Sequence, residues 1–275
     1  MTYIIWDFDP SIFAGLDFLR WYGFCWAVGV ILGYQLMLKM YKQEGLSQRE
    51  LDQLATYVVL GAILGARLGH ILFYDPMYYL HHPIEILPIR LEPTFQFTGL
   101  TGLASHGGVT GALLALYLFS KKYQKDFLWY LDRLTIAAPL LGGFIRLGTL
   151  MNSEIIGVPT QVPWAFVFVR VDQVPRHPAQ LYEALFYLAL SFILFLLWKS
   201  GKVQKYKGFL FGLGLSLIFV QRFLMEFLKE NQVAFEEEWL LNMGQTLSMP
   251  FIIVGMLVMI WSFRSSSTNV PTSPL

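Results

Sequence analysis

Charge is scarce in this chain. Of 275 residues only 14% are charged, while 55% are hydrophobic. Mean hydropathy is +0.51, and a soluble domain of this length usually carries more charge. Cysteine is almost missing. Cys25 alone excludes an intrachain disulfide and any cysteine-based metal site, and inside an apolar run it reads as a buried structural thiol. A net charge of +1 offers nothing to hold nucleic acid. The opening "MTYIIWDFDPSIF" has no basic n-region, so it does not read as a cleavable signal peptide. No Gly-rich phosphate loop, HExxH or CxxC occurs, so the sequence offers no nucleotide or metal site of a known kind, and no metal is expected.

What the chain has instead is long apolar blocks. Seven segments approach the roughly 20 residues needed to span hydrocarbon: Trp21–Met40, Leu54–Tyr74, Gly99–Ser120, Leu134–Met151, Leu181–Trp198, Phe209–Leu228 and Met243–Phe263. The third, fourth and fifth are interrupted by polar groups. This predicts an all-α polytopic membrane protein with seven transmembrane helices, a single domain over 1–264 and a disordered polar tail over 265–275. Basic residues set the direction. Of the 20 Lys and Arg, 12 fall in one set of connections and 5 in the opposite set, with Arg67, Arg146 and Arg222 inside spans. That split puts the N-terminus outside and the C-terminus in the cytoplasm. Two outer connections are long, 75–98 and 152–180. Strand-like alternation in "WAFVFVRV", Trp164–Val171, predicts a small outer-side (periplasmic) structure.

With direction assigned, a rise of about 1.5 Å per residue gives depth. Arg146, Arg222, Arg67 and His106 then lie roughly 8–10 Å below the outer ends of their spans. Tyr22, His177, Gln180, Glu183 and Gln245 open spans at that same face. The inner half is almost purely apolar. A transporter needs polar lining or alternating access across the full thickness, so an enzyme acting on an outer-leaflet molecule fits better. Arginines facing a water-excluded cavity suit a phosphate, which guanidinium binds bidentately without ever losing its charge. At that depth the common anionic phosphate is a phospholipid head group. A nearby histidine takes a proton near neutral pH.

Plainer readings stand beside these. Arg222 and Glu226 are spaced i,i+4 and would form a structural ion pair. Arg67 would snorkel. His106 in "SHGGVTG" would pack between helices, although Gly107 and Gly108 admit close approach of a ligand or a backbone. His70 would pack, His81 and His82 would be interfacial, and Glu183 would pair within the bundle. Glu236, Glu237 and Glu238 would be a solvated face. A Ser105–His106 hydrolase is disfavoured, since adjacent residues on a helix do not face each other.

Seven pieces occur in order: "RWYGFCWAVG", "LGARLGHILFY", "SHGG", "FIRLGTLMNSEIIG", "RHPAQLYEA", "QRFLMEF" and "MGQTLSMP". As a set, over roughly Tyr22 to Phe263, they closely resemble the prolipoprotein diacylglyceryl transferase family. The resemblance implies a bacterial inner-membrane transferase. Such an enzyme moves the diacylglyceryl group of phosphatidylglycerol onto the lipobox cysteine thiol of prolipoprotein signal peptides, releases glycerol phosphate, and needs no cofactor. It implies that His106 is the family's essential histidine and Tyr22 its first-span tyrosine. Arg146, Asn152 and Glu154 match its signature, Arg222 and Glu226 its late pair, and His177, Pro178, Gln180, Leu181, Tyr182 and Glu183 its HPxQLYE segment. Catalytic roles are thus expected for His106, Arg146, Arg222, Glu154 and Tyr22. Substrate contacts are expected from the same arginines and from Asn152, Glu226, Gly107, Gly108, Thr149, His177, Gln180 and Arg67. One departure stands out: the family usually reads Arg-x-Gly-Asn where this chain has Arg146-Leu147-Gly148-Thr149, so a hydroxyl replaces an amide with two donors. A non-catalytic lipid- or signal-peptide-binding member, or an anion or lipid transporter, are the alternatives.

Overall fold

The structure, a computed structural model, describes residues 3–13, 19–87, 89–90, 95–97, 102–229 and 241–267. Its helices are α1 (Trp21–Gln43), α2 (Gln48–Phe73), the short α3 (Pro76–His81), α4 (Ser105–Tyr123), α5 (Phe127–Met151), α6 (Ala179–Lys199), α7 (Phe209–Met225) and α8 (Met243–Ser267). Six of them, all but α3 and α4, are long and apolar enough to cross a membrane. The chain is therefore a polytopic, mostly helical membrane protein. The seven expected spans become six by this measure. Helix α4 falls short because His106 opens one end and Lys121 and Lys122 close the other, leaving too short an apolar stretch between them.

Helix ends follow local chemistry more than hydropathy. Helix α2 starts six residues before Leu54 because Ser47 Oγ accepts the Glu50 N–H at 3.2 Å, an N-cap of the usual kind. Helix α4 starts at Ser105, and not at Gly99. Gly102 sits at φ +65° and Ala104 is extended, so the helix cannot be continued backward. Helix α8 runs to Ser267, past the start expected for the tail. The remainder of that tail and the three glutamates 236–238 lie outside the described residues.

Residues up to Met40 and from Leu131 onward form one compact unit, and Tyr41–Tyr130 form a second. In the second unit α2 and α4 pack backbone to backbone. A Cβ on Gly107 would lie 2.2 Å from Gly65 O, and one on Gly111 would lie 2.1 Å from Gly61 O. Only glycine permits such contact, the small-residue packing common between membrane helices. Arg67 organises the loop that follows α2. Its Nε donates to Ile86 O at 3.0 Å, Nη1 to Gly102 O at 3.3 Å and Nη2 to Glu85 O at 2.5 Å, and its guanidinium lies over the Tyr79 ring.

The first unit contains a small sheet built where "WAFVFVRV" predicts a strand. Strand β4 (Phe166–Phe168) pairs in parallel with β1 (Ile4–Trp6), Ile4 opposite Phe166, and antiparallel with β5 (Pro175–Arg176), Phe166 opposite Arg176. A two-residue ladder, β2 (Ile89–Arg90) with β3 (Gln96–Phe97), belongs to the other unit. Phe166, Phe168 and Leu150 form a buried cluster with Trp6, Ile156 and Leu181 packed on it, which seats the sheet against the last turn of α5.

The turn into β5 is tied by Asp172, which accepts from Val174 N at 3.0 Å and from Arg176 Nε at 3.0 Å. The hydrogen-bonding Arg176 guanidinium holds the Asp172 carboxyl below its ordinary value. Such a depressed group stabilises the fold fully above the unfolded value, about 3.9. That contribution is lost as pH falls through the lower folded value. Amide exchange across 172–176, corrected for its intrinsic pH dependence, is expected to rise only below about pH 4. A rise beginning at neutral pH would show that the ion pair does not support the turn.

Candidate active site

The stretch "FIRLGTLMNSEIIG" occupies the end of α5 and its exit. The helix leaves through a Schellman turn: Ser153 N donates to Leu150 O at 3.0 Å and Glu154 N to Thr149 O at 3.1 Å. Ser153, at φ 55°, stands where glycine is usual, and Ile155 follows at φ 53°. A β-branched residue there is strained, at a cost of order 1–3 kcal/mol. The surroundings over-determine the turn. The Gln180 amide donates to Glu154 O, the Trp6 indole donates to Leu150 O at 3.1 Å, and Asn152 Nδ2 donates to Glu154 Oε1 at 3.2 Å. Just beyond, Gly157 lies where three segments cross. Its N–H donates to His177 O, and a Cβ would sit 2.5 Å from that oxygen and 2.8 Å from Leu228 O.

This exit borders a cavity of about 410 Å³, walled by Tyr22 of α1, by Pro139, Gly142, Arg146 and Thr149 of α5, by Glu154, by Tyr187 of α6 and by Ile218 of α7. Gly148 lets α1 come close: a Cβ there would lie 3.0 Å from Tyr22 Cα. The chain thus uses one glycine to set Tyr22 beside Arg146.

Behind the wall is a chain of charges. Glu183, fully buried, lies 2.9 Å through Oε2 from Arg146 Nε. That contact is an ion pair whose N–H is not aimed at the oxygen, since Oε2 has no hydrogen bond of good geometry. The other oxygen, Oε1, accepts from Lys229 Nζ at 2.7 Å. Lys229, itself buried, lies 3.7 Å from Glu226 Oε1, and Glu226 Oε2 accepts from Asn242 Nδ2 at 3.1 Å. One carboxylate is therefore shared between two cations. The Tyr187 side chain lies within electrostatic reach of Glu183, Arg146 and Arg222 together. Arg222 stands one turn beyond Ile218 of the wall. Among the described residues it makes no hydrogen bond or ion pair. The i,i+4 pair with Glu226 does not form, because Lys229 and Asn242 hold that carboxylate.

The first unit thus gathers Tyr22, Arg146, Thr149 and Glu154 at the cavity, with Asn152, Gln180, Arg222 and Glu226 close to it along the same elements. His177 is not in the wall; its Nδ1 and the Tyr182 hydroxyl share a hydrogen bond at 3.2 Å, and that hydroxyl accepts from Trp164 Nε1 at 2.8 Å. Arg67, His106, Gly107 and Gly108 belong to the other unit. There His106 is exposed in the first turn of α4, and its carbonyl accepts from Thr110 Oγ1 at 2.9 Å. Helix packing accounts for Gly107, while a Cβ on Gly108 would meet only ordinary contacts. Sequence reasoning missed Lys229, Gly157 and Tyr187. The spacing Glu226-x-x-Lys229 was the available signal for the first.

Thr149 is 3% exposed, and its hydroxyl donates to Ile145 O at 2.9 Å, one turn back. The proton of that hydroxyl is spent on the helix, so the residue offers the cavity only an acceptor. Thr149→Val is accordingly expected to change turnover by less than about threefold, while Thr149→Asn, which adds an N–H donor pair, is expected to raise it by about three- to tenfold. Steady-state rates of the two variants check this; a large loss in Thr149→Val would mean that the hydroxyl turns toward the substrate.

The model of the family described as prolipoprotein diacylglyceryl transferase matches residues 11–261. The chain is similar to phosphatidylglycerol–prolipoprotein diacylglyceryl transferases from several bacteria. It is 47% identical to that of Tolumonas auensis over 96% of this chain and 99% of the other. It is 45% identical to that of Bacteroides fragilis over 97% and 98%. With the protein of Chloroherpeton thalassium the identity is 43% over 96% of each.

Proposed function

The chain belongs to the prolipoprotein diacylglyceryl transferase family, and from that premise we propose that it moves the diacylglyceryl group of phosphatidylglycerol to the lipobox cysteine thiol of a prolipoprotein signal peptide. The observation that carries this reading is Arg146 in the wall of one cavity, with Arg222 one turn beyond Ile218 of the same wall. Arg146 is oriented by a fully buried glutamate, and Arg222 makes no bond among the described residues. Such a pair suits a lipid phosphate.

In this mechanism the head-group phosphate is held by Arg146 and Arg222, and Glu154 with Tyr22 orients the glycerol end. A free thiol is mostly protonated at neutral pH, so it needs a base, and His106 is assigned that role. The thiol proton passes to the imidazole. Sulfur attacks the glyceryl carbon that bears the phosphate oxygen, the C–S bond forms, and the C–O bond breaks with its electron pair going to that oxygen. The phosphodiester carries one negative charge and the departing glycerol phosphate two. The arginines therefore bind the transition state more tightly than the ground state. Every group consumed comes from the two substrates and the histidine, so no cofactor enters. The reading places one catalytic domain over 1–264 in the bacterial inner membrane. It counts α4 as a seventh span, with the sheet outside and the C-terminus in the cytoplasm.

The test is direct. Purified protein receives labelled phosphatidylglycerol in micelles and a lipobox peptide, and the products are read by mass. A thioether-linked diacylglyceryl peptide with stoichiometric glycerol phosphate supports the reading. Lipid binding without product would make the chain a non-catalytic member of its family, and lipid flux without product would make it a transporter.

A further inference from the structure

Helix α7 begins without a cap of its own. Its N-cap is Gly208, in the left-handed region at φ +85°, with no side chain to offer. The two N–H groups that a capping box satisfies are those of the N-cap and of the third helical residue, and here both are met from another helix. Gly208 N donates to Asp132 Oδ2 at 2.8 Å, and Phe211 N donates to Asp132 Oδ1 at 2.8 Å. Asp132, on α5, is 5% exposed, and as an anion at a helix N-terminus it also opposes the positive end of the dipole.

One turn past Asp132 on α5, and six residues past Gly208 on α7, the seam stays tight: a Cβ on Gly214 would lie 2.3 Å from Thr135 Cγ2. Farther on, the same two helices separate to wall the cavity, α5 through Gly142 and Arg146 and α7 through Ile218. The spacing along the chain is equal on both sides. Arg146 follows Asp132 by as many residues as Arg222 follows Gly208, about 21 Å of helix in each case.

We propose that Asp132 is a positioning residue. By capping α7 from α5, it fixes the axial register of the two helices and so holds Arg222 level with Arg146 around the substrate phosphate. The two N–H groups go to different oxygens, so an amide in place of the carboxylate keeps only one of these two bonds. The inference rests on the reading given under the proposed function, because it takes the arginines as the phosphate clamp.

The experiment is a double-mutant cycle, run on turnover and separately on the affinity of micellar phosphatidylglycerol. Asp132→Ala is expected to weaken both by about tenfold, and Asp132→Asn by about threefold, as a lost and a half-lost cap would. In an Arg222→Ala background the further loss from either change is expected to fall below about twofold, because the group being positioned is gone. Asp132→Asn carries the test alone where Asp132→Ala does not fold. A loss of equal factor in both backgrounds would overturn the proposal and leave Asp132 as a purely structural cap. A parent protein that binds the lipid but forms no thioether would overturn the proposed function, while the affinity cycle still decides the role of Asp132.

Discussion

Arg146→Ala is expected to lower the rate of thioether formation by about 10²–10³, the range found when one preorganised donor to a developing anion is removed. Among the described residues, Arg146 is the one of the two arginines that is paired with a buried carboxylate, Glu183, on its Nε side. The fall should appear in kcat and kcat/KM together, because the phosphate gains charge only as the C–O bond breaks. Arg146→Lys keeps the charge but loses the fork of parallel donors, so it should recover only part of the rate. The protein should stay folded in both variants, because Glu183 retains Lys229 as a partner. Unchanged turnover in folded Arg146→Ala would remove the clamp from the mechanism.

The second large effect concerns stability. Lys229→Met removes one of the two cations that share Glu183 and the cation nearest Glu226. Breaking a buried pair from one side costs about 3–5 kcal/mol where the surviving charge is left uncompensated; Arg146 still faces Glu183 and Asn242 still donates to Glu226, so the loss here is expected to be below that. A fall in the thermal midpoint in detergent is therefore expected. Glu183 would also draw more tightly on Arg146, so KM for phosphatidylglycerol should rise in whatever protein remains folded. The double change Glu183→Gln with Lys229→Met takes away both charges and should restore most of the midpoint. If Lys229→Met melts with the parent protein, the shared carboxylate is not holding this end of the bundle together.

Arg146 and Glu154 were legible because a charge inside an apolar run is costly and asks for a reason. The strand at Phe166–Phe168 was legible because alternation of β-branched and aromatic residues survives even in a short segment. Lys229 was not, since a lysine just past a span is what any membrane loop shows. Its importance depends on Glu183 and on the bridge to Gly157, both distant in sequence. Strand β1 is three residues long, with a parallel partner far along the chain, so no local pattern marks it. The role of Asp132 was hidden for a related reason: its ligands are backbone N–H groups of another helix, and backbone groups leave no trace in composition. Thr149 was legible as a departure, but whether its proton faces the cavity or its own helix depends on a rotamer.

The indole of Trp6 reaches Leu150 O across 144 residues, and the strand carrying it pairs with β4, which is made later still. At translation rates of about 5–20 residues per second, the first strand must wait on the order of ten seconds for its partner. Until then the carbonyl of Leu150 lacks one of its donors and the hydrophobic cluster beneath the α5 exit is incomplete. The order of synthesis therefore builds in a delay. A nascent chain cut short before β4 carries the whole of α5 but no seat for its strained exit, and it lacks α7 with Arg222 altogether.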